Sequence, residues 1–390
     1  MRPYAKYSTL SISANICFPM NSLIPTSQDT EIEWLNQSTQ KPPKKAVYLH
    51  DANTDTVLKA AYEHTATVWM GDFHQAKQVL AAVKKRVRKP EKPRKVPADI
   101  QTAFHTHRMQ QAQQSRVINM LAVEIGAGFT LNIPRSPDIR PALLDVLGKE
   151  NDRAFLLPLN QLLGFIGAHE WHKKGIHLEA LGGKIHVPFG VFSPLRGEYL
   201  DLIAKAPLNP NFQTAFDIGT GSGVIAALLA KRGIARITAT DTNPQAIACA
   251  VKNIRHLGYE RQVEIQAVSL FPEGRADLIV CNPPWLPAKP TSPIETALYD
   301  PDHGMLKAFL NGVATHLNEC GEAWLIISDL AEHLHLRQPD DLRSWFQAAS
   351  LEIIDVLHTK PQHGKAANAD APLAFARAQE TTCLYRLKAV

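Results

Sequence analysis

Two rhythms of apolar and polar positions divide the chain near residue 187. Beyond that point, short apolar runs of strand length alternate with amphipathic stretches of helical period. The runs fall at residues 214–218, 236–240, 262–267, 276–281, 322–328, 351–358 and 382–387, and the helical stretches at 223–232, 244–257, 305–317 and 340–349. This alternation predicts an α/β fold, a parallel sheet with crossover helices. No full helix separates the last two runs, so they predict a terminal hairpin that completes a seven-stranded sheet. Asn243-Pro244 marks a helix start, with proline at the first helical position, where its missing N–H is no loss.

Ahead of residue 187 the pattern predicts a mainly helical region. Residues 31–35 read as helix, followed by an alanine-rich amphipathic stretch over 54–87 that is interrupted near Gly71. Residues 84–95, KKRVRKPEKPRK, carry eight basic residues, one acid and two prolines. Such a segment has no face to bury. It reads either as a solvated hinge or as an arm whose clustered charge contacts phosphates. A polar helix is expected over 103–120, an apolar turn segment over 123–133, and helices over 142–147 and 159–172. Glu124-Ile125-Gly126-Ala127-Gly128 imitates a ligand-binding glycine turn, but an extended, proline-containing segment follows it. It is read as a turn between strands. The expected division is a helical region with a basic linker (1–96), an accessory or substrate-recognition region (97–186) and a catalytic α/β domain (187–390). No internal repeat is visible.

Composition narrows the class only slightly. With 390 residues, 45% hydrophobic and 20% charged, the chain can bury a substantial core. A net charge of +5 is compatible with a polyanionic partner without requiring one. Cys17, Cys249, Cys281, Cys320 and Cys383 form no Cys-x-x-Cys pair, and reduced thiols in a cytoplasmic setting are expected. No apolar run has the length of a membrane span. Residues 8–20 are too polar and broken for a convincing signal peptide, and Met20 is an alternative start that would leave residues 1–19 as a tail.

The candidate chemistry lies in two short stretches. The first is Asp217-Ile218-Gly219-Thr220-Gly221-Ser222-Gly223, at a predicted strand-to-helix turn. Gly219, Gly221 and Gly223 let backbone approach a bulky ligand that a Cβ would block, with Thr220 in the same turn. Asp217 is placed to order the loop or to meet an ammonium group. Asp241 ends the second strand, where a carboxylate can accept both hydroxyls of a ribose. The G-x-G-x-G spacing departs from the G-x-G-x-x-G of dinucleotide folds. The second stretch is Asn282-Pro283-Pro284-Trp285, at the end of a later strand.

Together with Ala239-Thr240-Asp241, residues 277–285, residues 321–325 and Gly190-Val191-Phe192-Ser193-Pro194, these stretches make residues 187–390 resemble a class I S-adenosylmethionine-dependent methyltransferase of the small methyltransferase domain group. That group includes release-factor glutamine methyltransferases and rRNA and DNA amino-methyltransferases. The resemblance implies a seven-stranded Rossmann-like sheet, S-adenosylmethionine as cofactor, and methylation of a planar exocyclic NH2. It implies that Asp217, Gly219, Thr220, Gly221, Gly223, Asp241 and Asn282 hold the cofactor. It also implies that Arg196, Glu198 and Tyr199 lie near a segment closing over it. The family carries an aspartate after the third strand, and Ser269 stands in that place here.

For catalysis the resemblance implies Asn282, Pro283, Pro284 and Trp285. The Asn282 Oδ1 and the Pro283 carbonyl would accept the two N–H groups of the target and draw its nitrogen toward tetrahedral geometry. The prolines would fix the backbone, and Trp285 would offer a stacking face. Residues 286–302 are expected to form a lid, with Tyr299, Asp300 and His303 either lining it or solvated. No metal is expected, because His169 and His172 stand three apart where a zinc helix needs four, and His105 and His107 lack partners at ligand spacing. The favoured substrate is a nucleic-acid base, in RNA before DNA, and a protein glutamine amide is the alternative. A ribosome or nucleic-acid adaptor that has lost catalysis, and a nicotinamide oxidoreductase, are the remaining readings. No membrane partner is expected.

Overall fold

A computed structural model of the chain describes residues 20–88, 99–194, 197–361 and 373–390. Its first part contains strands β1 (Met20–Pro25), β2 (Glu31–Asn36), β3 (Lys45–Leu49), β4 (Thr65–Trp69), β5 (Leu121–Ile125) and β6 (Phe155–Pro158). The helices among them are α1 (Thr54–Tyr62), α2 (Phe73–Val87), α3 (Ile100–Ile118), α4 (Arg140–Leu147) and α5 (Leu159–Lys174). The strands form one mixed sheet in the order β1-β2-β6-β5-β4-β3. Strands β3, β4 and β5 run parallel, while β6 is antiparallel to β5 and β1 to β2. Side-chain oxygens start α1, α2 and α3, the last through Asp99, which accepts from the Thr102 amide at 3.2 Å. Asn53 accepts from the Thr56 amide at 2.9 Å, and Asp72 accepts from His74 and Gln75 at 2.9 and 3.0 Å, each satisfying donors that a helix start leaves orphaned.

The mainly helical reading of this region is therefore corrected: it is an α/β layer. Every position of β4, TATVW, is buried, so the strand shows no alternation and reads as a continuation of the alanine-rich helices beside it. Residues 31–35 belong to β2, where charged Glu31 and Glu33 alternate with Ile32 and Trp34. The expected division at residue 96 also fails, because β4 pairs with β5 and β2 with β6 across it. Residues 84–87 are the last turn of α2. There Lys84 is half-buried and held below the usual lysine range by burial and by Arg88, and Arg86 pairs with Asp55. The rest of the basic run, from residue 89, lies outside the described residues.

A short antiparallel ribbon, β7 (Ile176–Leu178) and β8 (Gly183–Ile185), and helix α6 (Glu198–Lys205) lead into the second sheet. Its strands are β9 (Thr214–Ile218), β10 (Arg236–Thr240), β11 (Val263–Gln266), β12 (Ala276–Cys281), β13 (Leu317–Ser328), β14 (Leu351–Thr359) and β15 (Thr382–Ala389). Between them run α7 (Val224–Lys231), α8 (Pro244–His256), α9 (Gly304–His316), the short α10 (Leu330–His333), α11 (Asp341–Ala348) and α12 (Ala374–Arg377). The order is β11-β10-β9-β12-β13-β15-β14, parallel until β15 enters antiparallel to β13 and pairs with β14. The seven strands and the terminal hairpin are as the apolar rhythm predicts.

Each face of both sheets has its own apolar cluster. A fifth cluster joins the two layers: Phe104 of α3 packs with Ala288, Leu334 and Ala376 of the second layer. None of the described helices is long and apolar enough to cross a membrane.

Leu156 in β6 is fully buried between β2 and β5. Replacing Leu156 with alanine is expected to lower stability by about 2–5 kcal/mol. A urea midpoint that does not move would show that this strand does not carry the core of the first layer.

Candidate functional site

Strand order reverses at β9, which lies between β10 and β12, and ligands of open α/β sheets bind beyond the carboxyl ends of strands at such a point. The loop leaving β9 is organised by Asp217. Its Oδ2 accepts the Thr220 hydroxyl at 2.6 Å and the Ala226 amide at 3.0 Å. Ala226 is in the first turn of α7, whose N-cap, Gly223, has no side chain to offer. Asp217 thus caps the helix from the strand. Its Oδ1 is buried with no partner among the described residues, and burial pushes the carboxyl up to about 7, against the opposing pull of Thr220 and Ala226.

Gly219 is favoured by conformation, and Gly223 by conformation and by space. Gly219 has φ +73°, and a Cβ there would stand 2.8 Å from Met305 Cε; Gly223 has φ +81°, with a Cβ 3.1 Å from Ala250 Cα. Gly221, at φ +57°, faces open space, and its amide donates to Asp241 Oδ2 at 2.9 Å. Asp241 Oδ1 accepts from the Asn243 amide at 2.8 Å. The Thr220 amide bonds the Thr240 carbonyl at 2.8 Å. The loop is therefore clamped to the ends of two strands.

Asn282 directly follows β12, and the Trp285 indole N–H donates to its Oδ1 at 3.0 Å. Trp285 packs against the clusters on both faces of the sheet. Pro283 is buried, and no donor among the described residues meets its carbonyl oxygen. The chain beyond returns on itself: Asp300 N donates to the Leu286 carbonyl at 2.9 Å, and Leu286 bridges to Tyr299. Asp300 and His303 are buried rather than solvated. Asp300 caps α9 through the Met305 and Leu306 amides at 2.9 and 3.1 Å. Burial holds His303 down at about 4, with Arg337 and Lys307 adding to the effect.

One cleft of about 2520 Å³ joins these parts. That is more than twice the range of about 300–1,000 Å³ usual for small-ligand sites. Gly219, Thr220, Gly221, Asp241, Ser269, Asn282, Pro283, Pro284 and Trp285 all line it, as do Phe189–Ser193, Tyr199 and Tyr299. Asp217 and Gly223 lie behind the loop and shape it from there. Ser269 is exposed at the wall. Glu198 and Tyr199 are buried at the start of α6, and Arg196 lies outside the described residues. Sequence reasoning missed Met305, whose Cε lies close to Gly219, and the lining from the first layer, Phe129, Phe155 and residues 149–153. None of those carries a motif that could have announced it.

His169 and His172 both turn Nδ1 to Asp145, at 3.1 and 2.8 Å. No group of three or more His, Cys, Asp or Glu among the described residues is arranged to hold a metal.

The residues present fit S-adenosylmethionine. Gly219 and Gly221 turn with left-handed φ at the cleft wall, and the Asp241 carboxylate is held there by two backbone amides. The raised Asp217 pKa has a consequence for stability. The folded state holds a proton that the unfolded chain has released between pH about 4 and about 7, so this group's contribution is full at low pH and is lost as pH rises through that window. Replacing Asp217 with asparagine is expected to flatten that part of the pH profile, read as the difference in urea midpoints between pH 5 and 7.5. Equal slopes in the two proteins would place the Asp217 proton elsewhere.

Residues 185–351 match the family described as methyltransferase small domain. The chain is 30% identical over 132 residues to a tRNA1(Val) (adenine(37)-N6)-methyltransferase of Cytophaga hutchinsonii, covering 32% of this chain and 56% of that protein. It is 34% identical over 140 residues to a release factor glutamine methyltransferase of Cereibacter sphaeroides, covering 32% and 50%. It is 26% identical over 242 residues to a ribosomal protein uL3 glutamine methyltransferase of Bordetella pertussis, covering 58% and 77%. The chain spans about half the length of the first two relatives. Residues 185–351, which hold the glycine loop and Asn-Pro-Pro-Trp of the one cleft, are thus the part of the chain that is similar to the methyltransferase small domain family.

Proposed function

We propose that the protein is an S-adenosylmethionine-dependent N-methyltransferase acting on the planar exocyclic NH2 of a base in RNA. The observation that carries the reading is Asn282, with Oδ1 oriented by Trp285, standing in the same cleft as the glycine loop. S-adenosylmethionine supplies an electrophilic methyl group on a sulfonium. In this reading Asp217, Gly219, Thr220, Gly221, Gly223, Asp241 and Ser269 form its seat. Trp285 uses one lone pair of Asn282 Oδ1, and the other accepts an N–H of the target. The Pro283 carbonyl accepts the second N–H. Both acceptors pull electron density toward the target nitrogen and stabilise the charge that develops there. Pro283 and Pro284 keep them from reorganising, and the exposed part of Trp285 stacks against the target plane.

A base inside a helix reaches such a cleft only by leaving its stack, and a cleft larger than a cofactor needs supports that demand. The similarity to a tRNA adenine methyltransferase and the basic run from residue 84 support RNA. A second reading, a protein glutamine amide, is favoured by the broader match to the uL3 glutamine methyltransferase. The division of labour proposed is catalysis by residues 187–390 and substrate recognition by the residues ahead of them. The free thiols of Cys249, Cys281, Cys320 and Cys383 fit a cytoplasmic setting.

Incubation of the protein with methyl-labelled S-adenosylmethionine and a methyl-poor lysate tests the reading. Label sensitive to nuclease supports a base in RNA, and label sensitive to protease instead moves the assignment to the amide. Replacing Asn282 with alanine is expected to reduce turnover by roughly 10²–10³-fold while the cofactor still binds. Unchanged turnover in that variant would remove Asn282 from the chemistry.

A further inference from the structure

The segment that follows Asn-Pro-Pro-Trp is held from outside its own domain. Arg108, on α3, lays its guanidinium over the Tyr299 ring at 3.9 Å from the centroid. One nitrogen of the same group donates to the Lys289 carbonyl at 2.8 Å and reaches Glu295 Oε2 at 3.3 Å. Glu295 Oε2 also accepts from the amide and the hydroxyl of Thr291, both at 2.8 Å. The Thr39 amide, between β2 and β3, donates to the Thr291 carbonyl at 3.0 Å. Beneath these bonds Phe104, one turn before Arg108, is buried against Ala288. The side chains of Arg108 and Glu295 are only 17% and 28% exposed, so this pair is screened less than a surface ion pair.

From this geometry we infer that Arg108 is a positioning residue for methyl transfer: it sets the path of residues 286–300, and through Leu286 the placement of Trp285 and Asn282. The first layer thus completes the active site of the second rather than only delivering substrate to it. The chain of contact is continuous. Arg108 fixes Tyr299 and Lys289, Tyr299 lies opposite Leu286 in the returning segment, Leu286 follows Trp285, and the Trp285 indole orients the Asn282 oxygen. A guanidinium is suited to this place because it is flat enough to stack on a ring while its N–H groups reach a carbonyl and a carboxylate in the ring's neighbourhood. Lysine keeps the charge but loses the stack and the fork.

The inference rests on the N-methyl transfer proposed above, and two independent readouts on the full-length protein separate its failure from the failure of that reading. The first is amide hydrogen exchange over residues 286–300. Replacing Arg108 with alanine is expected to raise exchange there by about tenfold or more, with residues 214–218 unchanged. The second is methyl transfer into the methyl-poor lysate, together with the Kd for S-adenosylmethionine. In the same variant kcat is expected to fall roughly 10–100-fold, since small misplacements of a catalytic group cost that much, while the cofactor Kd stays within about twofold. Replacing Arg108 with lysine is expected to leave most of the loss in place. Exchange and kcat at wild-type levels in the alanine variant would overturn the inference, as would a loss confined to cofactor binding. If the wild-type protein transfers no label, the proposed activity is what fails, and the exchange experiment alone decides whether Arg108 holds the segment.

Discussion

The cofactor side of the site depends on one buried carboxylate. Asp217 ties the end of β9, the turn at Thr220 and the first turn of α7 into a single unit. A carboxylate placed where no water reaches is costly unless its oxygens are used, and one of them has no partner among the described residues. Burial instead raises the pKa of the group to about 7, so the carboxyl holds a proton more readily than an exposed one. The geometry of the loop follows from the same residue. With Asp217 capping α7 from the strand, the N-cap position is free to be glycine, and its left-handed φ brings the helix start against α8 at Ala250. Gly221 then hands the constraint to Asp241 through its amide, so the glycine loop is shaped by the protein's own bonds.

The catalytic side has a different logic. An asparagine amide rotates freely unless something distinguishes its oxygen from its nitrogen, and only the oxygen can accept from an NH2 group. The Trp285 indole is a donor with no acceptor capacity, so its bond to Asn282 selects the oxygen. Trp285 is in turn gripped by apolar clusters on both faces of the sheet, which makes the acceptor as rigid as the core beneath it. Fixed dipoles of this kind need no reorganisation when charge develops.

What could be read from the sequence follows from the range of the interactions. In the second sheet, strands and helices alternate and each element carries its own period, so the pattern locates β9, β10 and β12 to the residue. The Gly219–Gly223 turn and Asn282–Trp285 are contiguous stretches, and their chemistry is local. The first layer hides for the opposite reason. β4 is buried at every position and short, between helices of similar composition, and in β2 the alternation of Glu31 and Glu33 with Ile32 and Trp34 spans only four residues. Likewise no motif connects Arg108 to Glu295, which are 187 residues apart. The burial of Asp300 and His303 is not legible because their segment is rich in proline and polar residues, the composition of a solvated loop. They are buried because α9 begins there and requires a cap.

That segment also explains how an irregular stretch can carry a precise acceptor. Pro287, Pro290 and Pro293 restrict it before folding, which lowers the conformational entropy lost on ordering it. Its own bonds include a bridge between Leu286 and Tyr299 and the cap at Asp300. Further order comes from both layers, from Arg108, Phe104 and the Thr39 amide in the first and from Leu334 and Ala376, which pack with Ala288, in the second. Loops that shape active sites usually sit at the less stable end of a protein, where they open locally. A loop pinned between two layers opens only when the contact between the layers gives way. Opening of residues 286–300 would therefore break the Arg108 and Thr39 bonds that cross between the layers.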